Sequence, residues 1–187
     1  VDLIVAAWPL IHRENPGARL MLVGFGAYEM GLRALVTAVC DGDLESAREI
    51  ASVGRGLEGG EEGELHYLTA FLNNLPDGYE EAGRAAAGSI AFSGRLEHPE
   101  VARVVPTADS MIVPSTFPEA FCMVAAEAAA SGVLPVCAEH SGLAEVTATQ
   151  RSVLDMLLPP TPTPAATPAA TATPEALPQE LPGAAPA

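Results

Sequence analysis

Two glutamates eight residues apart, Glu119 and Glu127, stand where a sequence places a pair of ligand-holding carboxylates. The apolar run Ser110 to Val113 ends at Pro114-Ser115, a short loop carrying Glu119 follows, and a helix is predicted from about Ala120 to Ala130, stopping at Ser131-Gly132. A second apolar run, Val133 to Ala138, comes next. Strand, loop, helix and strand in that order predict a parallel crossover unit, and in such units ligands sit beyond the carboxyl ends of the strands, where the loop enters the helix. Pro118 sets Glu119 just outside the first helical turn while Glu127 lies inside the helix, so the carboxylates approach one ligand from different angles. Between them, the backbone N–H groups of Ala120 to Val124 are the donors of a helix start, which favour an anion such as phosphate. An ionised carboxylate offers two acceptor oxygens and suits vicinal hydroxyls. A sugar joined to a phosphate needs both kinds of partner. Acids are also favoured at a helix start with no ligand at all, so the two glutamates alone do not decide between these readings.

The elements that must position this stretch read as alternating helices and strands. Residues 1 to 15 show apolar Leu3, Ile4, Ala7, Trp8 and Ile11 at helical spacing, with Pro9 marking a kink or a change of turn and Pro16-Gly17 ending the element. Ala18 to Val23 is a strand running into Gly24-Phe25-Gly26, and a helix is predicted from Ala27 to Val39. A lone Gly-x-Gly serves a tight strand-to-helix turn as readily as a phosphate. From Asp41 to Gly88 the chain is Gly-rich and acidic, with helical fragments near Leu44 to Val53, Gly63 to Asn73 and Tyr79 to Ala87, read as an inserted helical hairpin or lid. Its His66 and Tyr67 are chemically versatile, though a lone histidine is more often surface or core filler. Ile90 to Leu96 is a third strand ending in Gly94-Arg95-Leu96, where Arg95 is either a planar cation that stacks on a base or a solvated residue at a strand end. His98-Pro99-Glu100 opens a short helix through Val105. Beyond Val136, the turn Glu139-His140-Ser141-Gly142 lies near the same cleft, with His140 either touching a ligand or capping the loop, and Leu143 to Gln150 begins another helix.

The ordered set Pro114-Ser115, Glu119, Glu127, Ala128 to Gly132, Pro135-Val136 and Ser141-Gly142-Leu143-Ala144-Glu145 resembles the donor-binding signature of retaining glycosyltransferases of the GT-B fold, in particular family four. The resemblance covers about residues 1 to 40 and 89 to 148. It implies an α/β fold, a Rossmann-like parallel sheet with flanking helices, as the C-terminal domain of such enzymes. It implies a nucleotide-diphosphate sugar as donor and a hydroxyl acceptor, whether sugar, lipid or small molecule, with no cofactor and no metal. Carried over by position, Glu119 would accept hydroxyls of the transferred sugar, Phe121, Cys122, Met123 and Val124 would present amides to sugar and phosphates, and Glu127 would hold the ribose diol. Gly24 and Gly26 would border the donor cleft, and Arg95 and Leu96 would meet the base. Where the family has Gly after Phe, this chain has Cys122, a side chain expected to crowd the donor.

Composition sets bounds on this reading. Residues 159 to 187 hold nine of the seventeen prolines, alternate them with Ala and Thr, and contain no aromatic residue, so 151–187 is expected as a disordered tail behind a folded part of about 1–150. The net charge of -15 sets 24 acids against nine arginines with no lysine, which excludes the basic patch of a nucleic-acid binder. Eleven of the acids fall between Asp41 and Glu81, away from the candidate site. Three cysteines without CxxC spacing argue against a disulfide framework or zinc site and fit a reduced, cytoplasmic setting. No apolar stretch reaches membrane-spanning length.

In the resembled family an acceptor domain precedes this one, and the donor domain opens with a strand bearing an Arg and a Lys that neutralise the departing diphosphate. The sequence starting at Val1-Asp2-Leu3 contains neither, nor a strand after Arg151 to Leu158. The expectation is therefore an incomplete sheet lacking its first, central strand and its last. What remains is two strand pairs, Ala18–Val23 with Ile90–Ser93 and Ser110–Val113 with Val133–Ala138, in a fragment inactive alone. Two other classes share the features: a non-catalytic nucleotide-sugar-binding module, favoured by Cys122 and the missing cations, and a nucleotide-sugar epimerase. A phosphorylase of the same fold needs a lysine for pyridoxal phosphate, and the chain has none.

Overall fold

The computed structural model describes residues 1–157 except 116, 117, 119 and 121. Helices and short strands alternate: α1 (Asp2–Glu14), β1 (Leu20–Val23), α2 (Glu29–Asp41), α3 (Leu44–Leu57), α4 (His66–Leu72), α5 (Tyr79–Ala85), β2 (Ile90–Gly94), α6 (His98–Val104), β3 (Ser110–Val113), α7 (Met123–Ala130), β4 (Leu134–Cys137) and α8 (Ser141–Leu157). A 3-10 turn, Val105–Thr107, follows α6. The fold is a mixed α/β one with two parallel strand pairs, β1 with β2 and β3 with β4, and the described residues pair no strand of one with a strand of the other. Both pairs are those expected from the apolar runs. Helix α8 runs to Leu157 instead of giving way to a tail near Gln150. The rest of the expected tail, 158–187, lies outside the described residues.

Each pair is covered on one face. Under β1 and β2 lies the larger core: Val5, Leu35, Val39, Leu68 and Leu72 are buried, with Leu22 of β1 and Phe92 of β2 packed against them. The alternate residues of β1, Met21 and Val23, stay half exposed on the other face. The second pair carries two smaller clusters, one of Cys122, Ala125, Leu143 and Val146, the other of Val105, Ala128 and Val133. There Leu134 and Val136 of β4 are the half-exposed apolar residues. Element packing follows the same division, with α1 to α5 on one another and α7 and α8 on β3, β4 and each other.

The stretch 41–88, expected as an inserted helical hairpin or lid, packs into the larger core. Helix α2 ends at Gly42, whose φ of +74° turns the chain left-handed, and the Asp43 side chain at once caps α3 by accepting from Ser46 N at 3.0 Å. The Asp43 carboxylate is held below its ordinary range mainly by the Ser46 hydroxyl. Tyr79 of α5 is buried and its hydroxyl donates to the Ala6 carbonyl of α1 at 2.6 Å. Gly83 lies so close to the Val39 carbonyl of α2 that no Cβ would fit between them. Trp8 is tied to the start of β2, its indole N–H donating to Ser89 Oγ at 2.7 Å, and that hydroxyl donates in turn to the Ala86 carbonyl at 2.5 Å. Few of these contacts are local in sequence, so a sparse apolar pattern still gives a buried three-helix unit. Pro9 lies inside α1 and is fully buried.

Candidate functional site

At the carboxyl end of β1 the backbone leaves the sheet through two glycines, Gly24 and Gly26, with φ of +150° and +154°, a region L side chains rarely adopt. Open space faces both where a Cβ would stand. Gly24 N–H still donates to the Gly94 carbonyl at 3.0 Å, so the ends of β1 and β2 are held side by side. Arg95, just past β2, lays its guanidinium over the Phe25 ring with Cζ 5.2 Å from the centroid, while its Nε pairs with Glu97 Oε1 at 2.9 Å. Glu97 and Glu100 then close a capping box on α6. Phe25 is 70% exposed and was not singled out by the sequence; an aromatic residue bracketed by two glycines at a strand end is the signal that finds it. Leu96 is partly buried beside this group. Gly24, Gly26 and Arg95 thus lie at the carboxyl end of the β1–β2 pair, and the arginine already has an aromatic partner of its own.

The second group sits beyond β3. Helix α7 begins at Met123, later than the predicted Ala120, and its first intrahelical bond runs from Ala126 N to the Cys122 carbonyl. By helix geometry the N–H groups before Ala126 find no acceptor within α7, and they point out of its start. The alanine-rich sequence packs tightly, with Ala125 and Ala128 fully buried. Met123, Val124 and Glu127 form the opposite, exposed row. Side chains on a helix lean toward its N-terminus, so the Glu127 carboxylate reaches back along the turn begun by Met123. Cys122 behaves differently from expectation: it is 2% exposed and packs in the cluster of Ala125, Leu143 and Val146, turned into the core and away from the cleft. Its φ of -87° needs no glycine. Glu119 and Phe121 lie outside the described residues.

His140 joins the two loops that border α7 and α8. Its Nε2–H donates to the Ser115 carbonyl at 2.9 Å, which leaves Nδ1 as acceptor for the Ser141 hydroxyl at 3.1 Å. Ser141, with φ of +50°, opens α8 in a left-handed conformation. Both ring nitrogens are therefore committed to holding the segment after β3 against the segment after β4. His66, by contrast, is exposed and meets Glu64 at 3.1 Å.

The arrangement offers helix-start donors, one exposed carboxylate and a clamped loop at the carboxyl ends of β3 and β4, and an aromatic–arginine pair at those of β1 and β2. Among the described residues no hydrogen bond or ion pair joins the first group to the second, and no three His, Cys, Asp or Glu side chains cluster to hold a metal. No described helix is long and apolar enough to cross a membrane. No curated protein and no solved structure matches the chain. Residues 83–153 match the family model of glycosyl transferases group 1, a span that takes in β2, β3, α7, β4, His140 and most of α8. The parallel crossover, the Glu127-bearing helix start and the clamped loop all lie inside the matched span, so this is the part of the chain that is similar to the glycosyl transferases group 1.

Proposed function

We propose that this segment is the donor side of a hexosyltransferase that moves a sugar from a nucleotide-diphosphate sugar to a hydroxyl acceptor with retention at the anomeric carbon. In this reading Glu127 holds the ribose diol and Glu119 the hydroxyls of the transferred sugar. The amides of Phe121 to Val124 face sugar and phosphates, and Gly24, Gly26, Arg95 and Leu96 border the base. The observation that carries it is the start of α7, where the exposed row Met123, Val124 and Glu127 stands beside the helix-start N–H groups of Met123 and Val124 beyond β3. Acceptors for hydroxyls and donors for phosphate meet at that one helix end.

Transfer also needs charge to meet the departing diphosphate. No Lys or Arg occurs from Ser110 to Val146. Helix-start dipoles alone supply part of that stabilisation, so this chain by itself binds donor and transfers no useful amount of sugar. The same lack of a cation favours a second reading, a nucleotide-sugar-binding module without turnover. Turnover once an acceptor domain is supplied separates the two.

The test is ligand-detected NMR of the purified chain with nucleotide-diphosphate sugars that vary base and hexose, repeated with Glu127→Ala. The expected result is binding of one base class, weakened at least tenfold by the substitution. A chain with a well-dispersed amide spectrum that binds none of them, or binds them equally without Glu127, overturns the proposal.

A further inference from the structure

Helices α2 and α3 form a packed pair joined at Gly42-Asp43, and their outward seam is an open groove of about 680 Å³. Along α2 its floor is made by small residues, with Ala34 at the centre, and its sides by Met30 of α2 and by Val53 and Leu57 of α3. Met30 is 83% exposed, an unusual position for a long apolar side chain on a helix that buries its other face. Rows of small residues leave the groove into which the ridge of another helix fits, and an unbranched methionine adapts to what lies there. The end nearest the α2–α3 turn is different: Asp41, Asp43 and Glu49 line it, while the Arg84 guanidinium stands behind the turn against Gly42 and pairs with Glu80 at 3.5 Å. From Met30 to Asp41 the row spans eleven residues, roughly 17 Å at the helical rise. That is the length of about three turns of a bound helix.

We propose that this groove is the docking site for a short amphipathic helix of a partner protein, with apolar residues at helical spacing and Arg or Lys at the end that meets Asp41 and Glu49. Charge selects the occupant. The chain's own residues 158–187 hold two glutamates and no Arg or Lys, so they do not complement the acidic end. A second copy brings a further net charge of -15 to the same surface. The groove's lining shares no residue with the donor site proposed above.

The probe is a labelled synthetic amphipathic peptide of about three to four helical turns, with leucines on one face and arginines at one end. Two controls accompany it, one with the arginines replaced by glutamate and one with the leucine face scrambled. Anisotropy and amide shifts of the full chain are followed together. Expected are shifts confined to α2 and α3, affinity at least tenfold lower for both controls, a tenfold loss on Ala34→Glu, and a threefold or greater loss on Glu49→Gln. Met30→Ser, at an exposed position, gives the same direction of change if Ala34→Glu disturbs the fold. Shifts elsewhere, equal binding of the scrambled peptide, or indifference to both apolar-site variants overturns the proposal. Self-association of the free chain that Ala34→Glu abolishes also overturns it and assigns the groove to a second copy.

Discussion

Cys122 decides between two views of the helix start, and its substitution separates them. If the side chain faced the donor, as the family's glycine at this position implied, Cys122→Gly would open the site and tighten binding. In the structure it is 2% exposed and touches the cluster of Ala125, Leu143 and Val146, with Val113, Cys137 and Ala138 around it. Cys122→Ala removes one buried group of about methylene size and leaves a small void, roughly 1 to 1.5 kcal/mol. Cys122→Gly removes the Cβ as well and adds backbone entropy to the unfolded chain, another ~0.5 to 1 kcal/mol from the second cause alone. The total for Gly is therefore about 2 to 3 kcal/mol. Urea titration followed by far-UV circular dichroism measures it, with donor affinity of the folded variant measured in parallel. The expected order of stability is Cys, Ala, Gly, with donor affinity little changed for Ala. A Gly variant of unchanged stability that binds donor several-fold more tightly refutes the placement.

Three further substitutions test the scaffold. Ser89→Ala leaves the buried Trp8 indole N–H without its acceptor, and should cost about 1 to 3 kcal/mol, read by urea unfolding through the emission of the chain's single tryptophan. The Tyr28 hydroxyl is buried with no hydrogen-bond partner among the described residues, and burial, then the charges of Asp2 and Glu58, pushes its pKa up. The folded state therefore holds this proton longer than the unfolded chain, so stability is intact below pH about 10 and falls as pH rises beyond it. Tyr28→Phe should leave stability at neutral pH equal or up to about 1 kcal/mol higher and flatten the alkaline loss, as thermal melts across pH 8 to 11 would show. His140→Ala releases the Ser115 carbonyl and should speed amide exchange at Ser115, whereas His140→Gln, which retains a donor at similar reach, should restore much of the protection.

The strands were legible because short apolar runs bounded by Gly and Pro need no distant partner to be recognised, and their parallel sense followed from the helix between Val113 and Leu134. The helical unit at 41–88 was legible only in fragments. Its burial rests on contacts such as Tyr79 with Ala6 and Gly83 with Val39, which no local spacing announces. The direction of Cys122 was hidden for a related reason: it lies just before a helix, where neither the period of the helix nor that of a strand fixes which way a side chain turns. Arg95 reads from sequence either as a cation stacking on a base or as a solvated residue at a strand end; its ring partner in the structure is Phe25, seventy positions earlier and brought alongside by the pairing of β1 with β2.

Two-stranded parallel sheets with one apolar face uncovered are marginal units, since parallel strands are ordinarily buried on both faces. Here Met21 and Val23 of one pair and Leu134 and Val136 of the other are half exposed, and β1 and β3 are each paired on one side only. One more parallel strand between β1 and β3 would satisfy both edges and, numbered first, give the five-strand order 3-2-1-4-5. It would also set Gly24 and Gly26 across one crevice from the start of α7, where such sheets bind ligands. Without it, each half has only its own core to hold it, and the cores differ in size: Val5, Leu35, Leu68 and their neighbours in the first, two small clusters in the second. The two halves should then unfold separately. Trp8 reports the first half alone, while amide exchange at Ala125 and Leu143 reports the second. Denaturant midpoints should be lower for the second half, and supplying an apolar strand peptide should draw them together. Coincident midpoints in the chain alone would show that the halves already share a cooperative core, and the argument from open edges would fail.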